Sequence, residues 1–162
     1  MRGTLYNEVP QVIYLPPWLE LARAEAKVGR KEILGVQHNA QIVNYGEAVS
    51  LNITDDEIPW CSNFINWLFM ELDMERTASA RARSWLEWGI PLCEPAMGCV
   101  VILKRGPGNQ PGKDVIAAPG HVGLLTDMLE PDSVTLLGGN QSNQVCERTY
   151  SLDRVLDYRW PK

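Results

Sequence analysis

The sequence predicts an α+β fold, with N-terminal helices packed on a C-terminal antiparallel β-sheet. Two features carry this: helical patterning dominates up to Gly89, and from Met97 onward short β-branched or aliphatic runs alternate with turn residues. At 162 residues the chain fits a single domain with a substantial core, since about 150 residues bury roughly 70% of their unfolded surface.

Residues 1–16 read as an extension or edge strand closed by Pro16-Pro17, and residues 17–162 as one domain. Pro17 opens a first helix through Val28, rich in strong helix formers and ended by Gly29. Ile42, Tyr45 and Val49 predict a second helix of about three turns. Pro59 fits the first turn of a third, in which Phe64, Ile65, Leu68 and Leu72 form one buried stripe. A further helix is expected around Ala80 to Trp88, stopped by Gly89 and Pro91. Strands are expected over 99–103, 122–125, 134–137 and 155–158. The glycine- and proline-rich connection Arg105 to Lys113 reads as a mobile hairpin loop able to overhang a site as a flap.

Cys61 is the candidate nucleophile. It falls in the first turn of the third helix, where unpaired N–H groups and the helix dipole favour thiolate, the reactive form. A thiol needs a nearby base, and imidazole is the usual one. Of the two histidines, His38 lies beside Asn39 at a helix start, where capping or packing suits it better. His121 begins a strand whose Val122 and Leu124 face the other way, which leaves its ring free for a cleft. Asn140, after Gly138-Gly139, is the candidate orienter of that imidazole, and Gln141 competes for the role. The Cys61 backbone N–H is the natural first oxyanion donor, with Asn44, Tyr45 and Trp60 as candidates for a second. Trp60, Trp85 and Trp88 could line a substrate groove, with Arg83 or Lys113 meeting substrate carboxylates.

Composition excludes several classes. A net charge of −5 without a Lys/Arg cluster argues against nucleic-acid binding. No run approaches the roughly 18 apolar residues of a membrane span. Asn7, Glu8, Pro10 and Gln11 interrupt any secretory signal over residues 1–15, so synthesis in the cytoplasm is expected. Cys61, Cys93, Cys99 and Cys146 include no C-x-x-C pair, and neither histidine has a second at ligand spacing; no metal or other cofactor is expected.

Four strings in order, Pro-Trp-Cys-Ser-Asn-Phe-Ile-Asn-Trp (59–67), Ala-Arg-Ser-Trp-Leu-Glu-Trp-Gly (82–89), Gly-His-Val-Gly-Leu-Leu (120–125) and Leu-Gly-Gly-Asn-Gln (137–141), resemble the NlpC/P60 and CHAP-related cysteine peptidases, most of all the phage and prophage branch. The resemblance implies a papain-like core with Cys61 as nucleophile, His121 as base and Asn140 as orienter; from the residues themselves, Tyr45, Trp60, Trp85 and Gln141 are expected at the substrate. Many CHAP proteins carry an acid two residues before the asparagine, where this chain has Gly138. The implied activity is endolysin-like cleavage of a peptidoglycan amide, by an endopeptidase or an N-acetylmuramoyl-L-alanine amidase. The implied partners are the wall, a holin or a secretion machine for delivery, and an immunity protein. The alternatives are a silent wall-binding or phage-structural protein and an amidase acting on a non-wall amide.

Overall fold

The computed structural model describes residues 14–128 and 130–162, so the extension or edge strand expected over residues 1–16 lies almost wholly outside the described residues. Helix α1 spans Pro17–Val28 and ends on Gly29, whose left-handed φ of 77° is open to glycine at no steric penalty. Asn39 caps α2, Ala40–Asn44, by accepting from the amides of Gln41 and Ile42. The expected three-turn helix instead continues as a 3₁₀ turn over Tyr45–Val49. Helix α3, Cys61–Glu71, starts one residue after its cap Trp60, so Pro59 stands just outside the helix rather than in its first turn. The segment expected as a fourth helix is a 3₁₀ stretch, Ala82–Glu87.

Six strands follow: β1 Ile90–Pro91, β2 Val100–Lys104, β3 Gly120–Asp127, β4 Ser133–Gly138, β5 Cys146–Ser151 and β6 Val155–Trp160. They form one sheet in the order β1-β6-β2-β3-β4-β5, every pairing antiparallel. The chain is therefore α+β. Alternation along β2 and β3 splits the apolar residues between two faces. Val100, Ile102, Val122 and Leu124 join Leu19, Phe64, Ile65 and Leu68 in the core beneath the helices. Val101, Leu103 and Leu125 join Val134, Leu136 and Tyr150 on the other face. Each fully buried Leu, Ile or Phe contributes roughly 1.5–3 kcal/mol of burial, which is what clamps α3 to the sheet.

Helix α3 was expected to bury one stripe, yet every residue from Cys61 to Phe69 is buried. The 45–49 turn covers part of it, with the rings of Tyr45 and Trp67 5.0 Å apart. The 77–81 segment covers another part through polar contacts. Asn66 Nδ2 donates to the carbonyls of Ser62 and Ser79 while its Oδ1 accepts from Ala78 N, and Ser62 Oγ donates to Ser79 O. A helix wrapped on all sides holds its first residue in a fixed place.

Candidate active site

The N-terminus of α3, the start of β3 and the turn after β4 meet at a cleft of about 360 Å³ lined by Cys61, His121, Asn140 and Tyr150 among others. Gly139 allows this approach: a Cβ there would come within 2.6 Å of the Trp60 ring and 2.7 Å of Phe64 Cβ. A second arm, about 240 Å³, runs from Cys61 along Ala80, Ala82, Ala117, Ala118 and Pro119.

Cys61 is 7% exposed. Burial pushes its thiol pKa up, and the N–H groups of Val122 and Ser62 and the charge of Arg105 pull it down without prevailing. The thiolate expected from the helix terminus is thus not the resting form: desolvation outweighs the dipole, and the sulfur carries its proton until a base removes it. The sulfur nevertheless sits against the Val122 amide, one residue from His121.

His121 is oriented by Gln141. The Gln141 Nε2 donates to the carbonyls of Leu136 and Cys146, which fixes the amide so that Oε1 points the other way. That oxygen lies 2.9 Å from His121 Nε2 and accepts from the Tyr150 hydroxyl at 2.8 Å. An amide oxygen only accepts, so the hydrogen-bond pattern assigns the imidazole proton to Nε2 and leaves Nδ1 as the basic nitrogen. Burial holds the Tyr150 phenol up at about 12, so it stays a donor. Burial first, then the charges of Arg154, Arg105 and Arg148, brings His121 down to about 4, and the ring is neutral at pH 7.

Asn140, the expected orienter, lines the cleft but does not hold the imidazole. The physical reason is the turn. Asn140, Ser142 and Asn143 all have left-handed φ (55°, 54° and 61°), and this tight reversal sends Gln141, not Asn140, back beneath the sheet end, where it is fully buried.

Three expected substrate contacts are core residues instead. Tyr45, Trp60 and Trp85 are fully or almost fully buried, and none lines either arm of the cleft. The Tyr45 hydroxyl is committed to Glu25, the Trp60 indole to Glu32 at 2.7 Å and the Trp85 indole to Ser62 Oγ at 3.0 Å. This also removes Tyr45 and Trp60 as oxyanion donors. Arg83 is buried too, and donates to the carbonyls of Pro111, Gly112, Val115 and Pro119. It ties down the far half of the connection expected to be a mobile flap.

Sequence reasoning missed Tyr150 and the arginines of the cleft, Arg105, Arg148 and Arg154. The i, i+2 spacing of Arg148 and Tyr150 was the available signal, but β5 was not recognised as a strand. Among the described residues, metal-type donors converge once, where His38, Asp55 and Asp56 place ligand atoms within 4.8 Å of one another. Asp56 is already satisfied there, accepting from Ile33 N, Asn39 N and His38 Nδ1. It staples the 33–39 loop, and His38 plays a packing role. The four cysteines are free. Among the described residues no helix is long and apolar enough to cross a membrane.

Comparison of the chain with protein-family models, curated proteins and solved structures gives no match.

Proposed function

We propose that this chain is a cysteine hydrolase acting by acyl transfer. The observation that carries the reading is the locked Gln141 amide, which engages Nε2 of a neutral His121 and so makes Nδ1 its basic nitrogen, in a cleft that Cys61 also lines.

In this mechanism His121 Nδ1 takes the Cys61 proton as the sulfur attacks an amide carbonyl. The first amide of α3, which has no intrahelical acceptor, stabilises the oxyanion. The imidazolium then gives its proton to the leaving amine, and water, activated by the same nitrogen, cleaves the thioester and restores the thiol. Proton transfer accompanies attack rather than preceding it, because both resting groups are neutral.

More particularly, the proposed enzyme is a peptidoglycan hydrolase of the NlpC/P60 and CHAP-related type with a papain-like core, cutting an amide in the peptide part of the wall. The order of Cys61, His121 and an amide side chain supports this, as do the motifs around them. The test is digestion of purified peptidoglycan by wild type and by Cys61→Ala, with fragments identified by mass spectrometry. Fragments released only by wild type are expected, and their masses name the bond. Equal fragments from both proteins would overturn the mechanism.

A further inference from the structure

The geometry points to a carboxylate-binding subsite beside Cys61, formed by Arg105, Arg148 and Arg154, which holds a carboxylate on the substrate residue adjoining the bond that breaks. This rests on the hydrolase reading and adds a substrate class to it.

The three guanidinium groups come from separate parts of the chain. Arg105 follows β2, Arg148 lies in β5 and Arg154 ends the 3₁₀ turn before β6, yet all three line the arm of the cleft that holds Cys61 and His121. The chain has 20 acidic residues against 15 basic ones, but no Asp or Glu lines either arm. Among the described residues the arginine ion pairs are Arg30 with Glu25 and Arg159 with Asp157, so these three have no carboxylate partner. Tyr150 organises two of them: the Arg154 and Arg148 guanidinium carbons lie 4.9 and 5.6 Å from its ring centre. Arg154 is further fixed by donating Nε and Nη2 to Lys104 O, which leaves Nη1 for a ligand.

Like charges gathered without counter-charge repel one another, and an anion in their midst relieves that repulsion. The anions of a peptide are carboxylates, whose planar pair of oxygens matches the guanidinium fork. Binding one has a second effect. The same arginines oppose protonation of His121, so a bound carboxylate screens them and makes the imidazole a stronger base while substrate is in place.

The subsite is tested without a wall substrate by alkylating the protein with iodoacetate and with iodoacetamide, reagents of similar shape that differ in charge. Mass spectrometry reads Cys61, with exposed Cys93 as the reference in the same tube. The iodoacetate to iodoacetamide rate ratio should be at least about 10-fold higher at Cys61 than at Cys93. It should fall severalfold at Cys61 alone in Arg105→Gln and in Arg148→Gln, two exposed positions where folding is readily checked by circular dichroism. Glutarate should slow Cys61 alkylation more than inorganic phosphate at equal ionic strength. Equal ratios at the two cysteines, or better protection by phosphate, overturns the subsite while leaving the nucleophile standing. A Cys61 inert to both reagents overturns the hydrolase reading itself.

Discussion

The two histidines should titrate on opposite sides of the ordinary value of 6.5, and their Cε1–H proton resonances make this directly measurable. His38 is raised, chiefly by its hydrogen bond to Asp56. His121 is lowered to about 4, chiefly by burial. The signs run oppositely in stability. The unfolded chain protonates its histidines near 6.5, whereas the folded chain resists protonating His121 until about 4. Stability linked to His121 is therefore present above pH 6.5 and lost as pH falls toward 4, a change of about 3 kcal/mol over that window. Stability linked to His38 is present below 6.5 and lost as pH rises through its raised value. At pH 5 a group of pKa 4 is still about 90% neutral, against about 3% for one of 6.5, so turnover should keep its acid limb near pH 4. The assay is an NMR titration from pH 3.5 to 8, with His38→Gln assigning the two resonances. Urea midpoints of wild type and His121→Gln across the same range read the stability change. A His121 resonance titrating at or above 6.5 would refute the reasoning, because burial would then not be what sets the charge of the imidazole.

Gln141→Leu should lower turnover at least about 100-fold, because nothing then sets the tautomer, whereas Asn140→Ala should lower it less than about 10-fold; the reverse order of loss would return the orienting role to Asn140. Arg83→Met should destabilise the fold by roughly 3 kcal/mol and speed tryptic cleavage after Lys113, since four loop carbonyls lose their donor. An unchanged cleavage rate would show that the loop is held by something else. Both polar atoms of the Asn63 side chain are buried with no hydrogen-bond partner among the described residues. Asn63→Leu should accordingly raise the thermal midpoint, by an amount corresponding to about 1–2 kcal/mol, and a lower midpoint would mean the amide is satisfied in solution.

How far the sequence revealed all this depended on which physical signal each part carries. Helix α1 was readable at both ends because Pro17 and Gly29 act through local backbone geometry. Strands β2, β3 and β4 were readable from their aliphatic runs. Strand β5, Cys-Glu-Arg-Thr-Tyr-Ser, was not, because it lies at the sheet edge with Tyr150 as its one buried residue, and polar edges carry little hydrophobic pattern. Cys61 and His121 stood out by residue type and by their place at element starts. The choice between Asn140 and Gln141 was illegible, since it turns on left-handed residues on either side of Gln141 that no pattern in the sequence announces. The aromatic residues Tyr45, Trp60 and Trp85 misled because burial and ligand contact select the same side chains. The cleft arginines, spread from 105 to 154, become a group only once β2, β5 and β6 are set in place.

The Gln141 amide joins the ends of two neighbouring strands, since its nitrogen donates both to Leu136 in β4 and to Cys146 in β5. Strand β5 has β4 as its sole neighbour in the sheet, so this seam is the natural first place for the sheet to part on warming. Once it opens, the amide is free to rotate, and the imidazole loses its guide while every helix is still folded. Heat loss of the proposed activity would then run ahead of unfolding, and its thermal ceiling would belong to one side chain rather than to the domain.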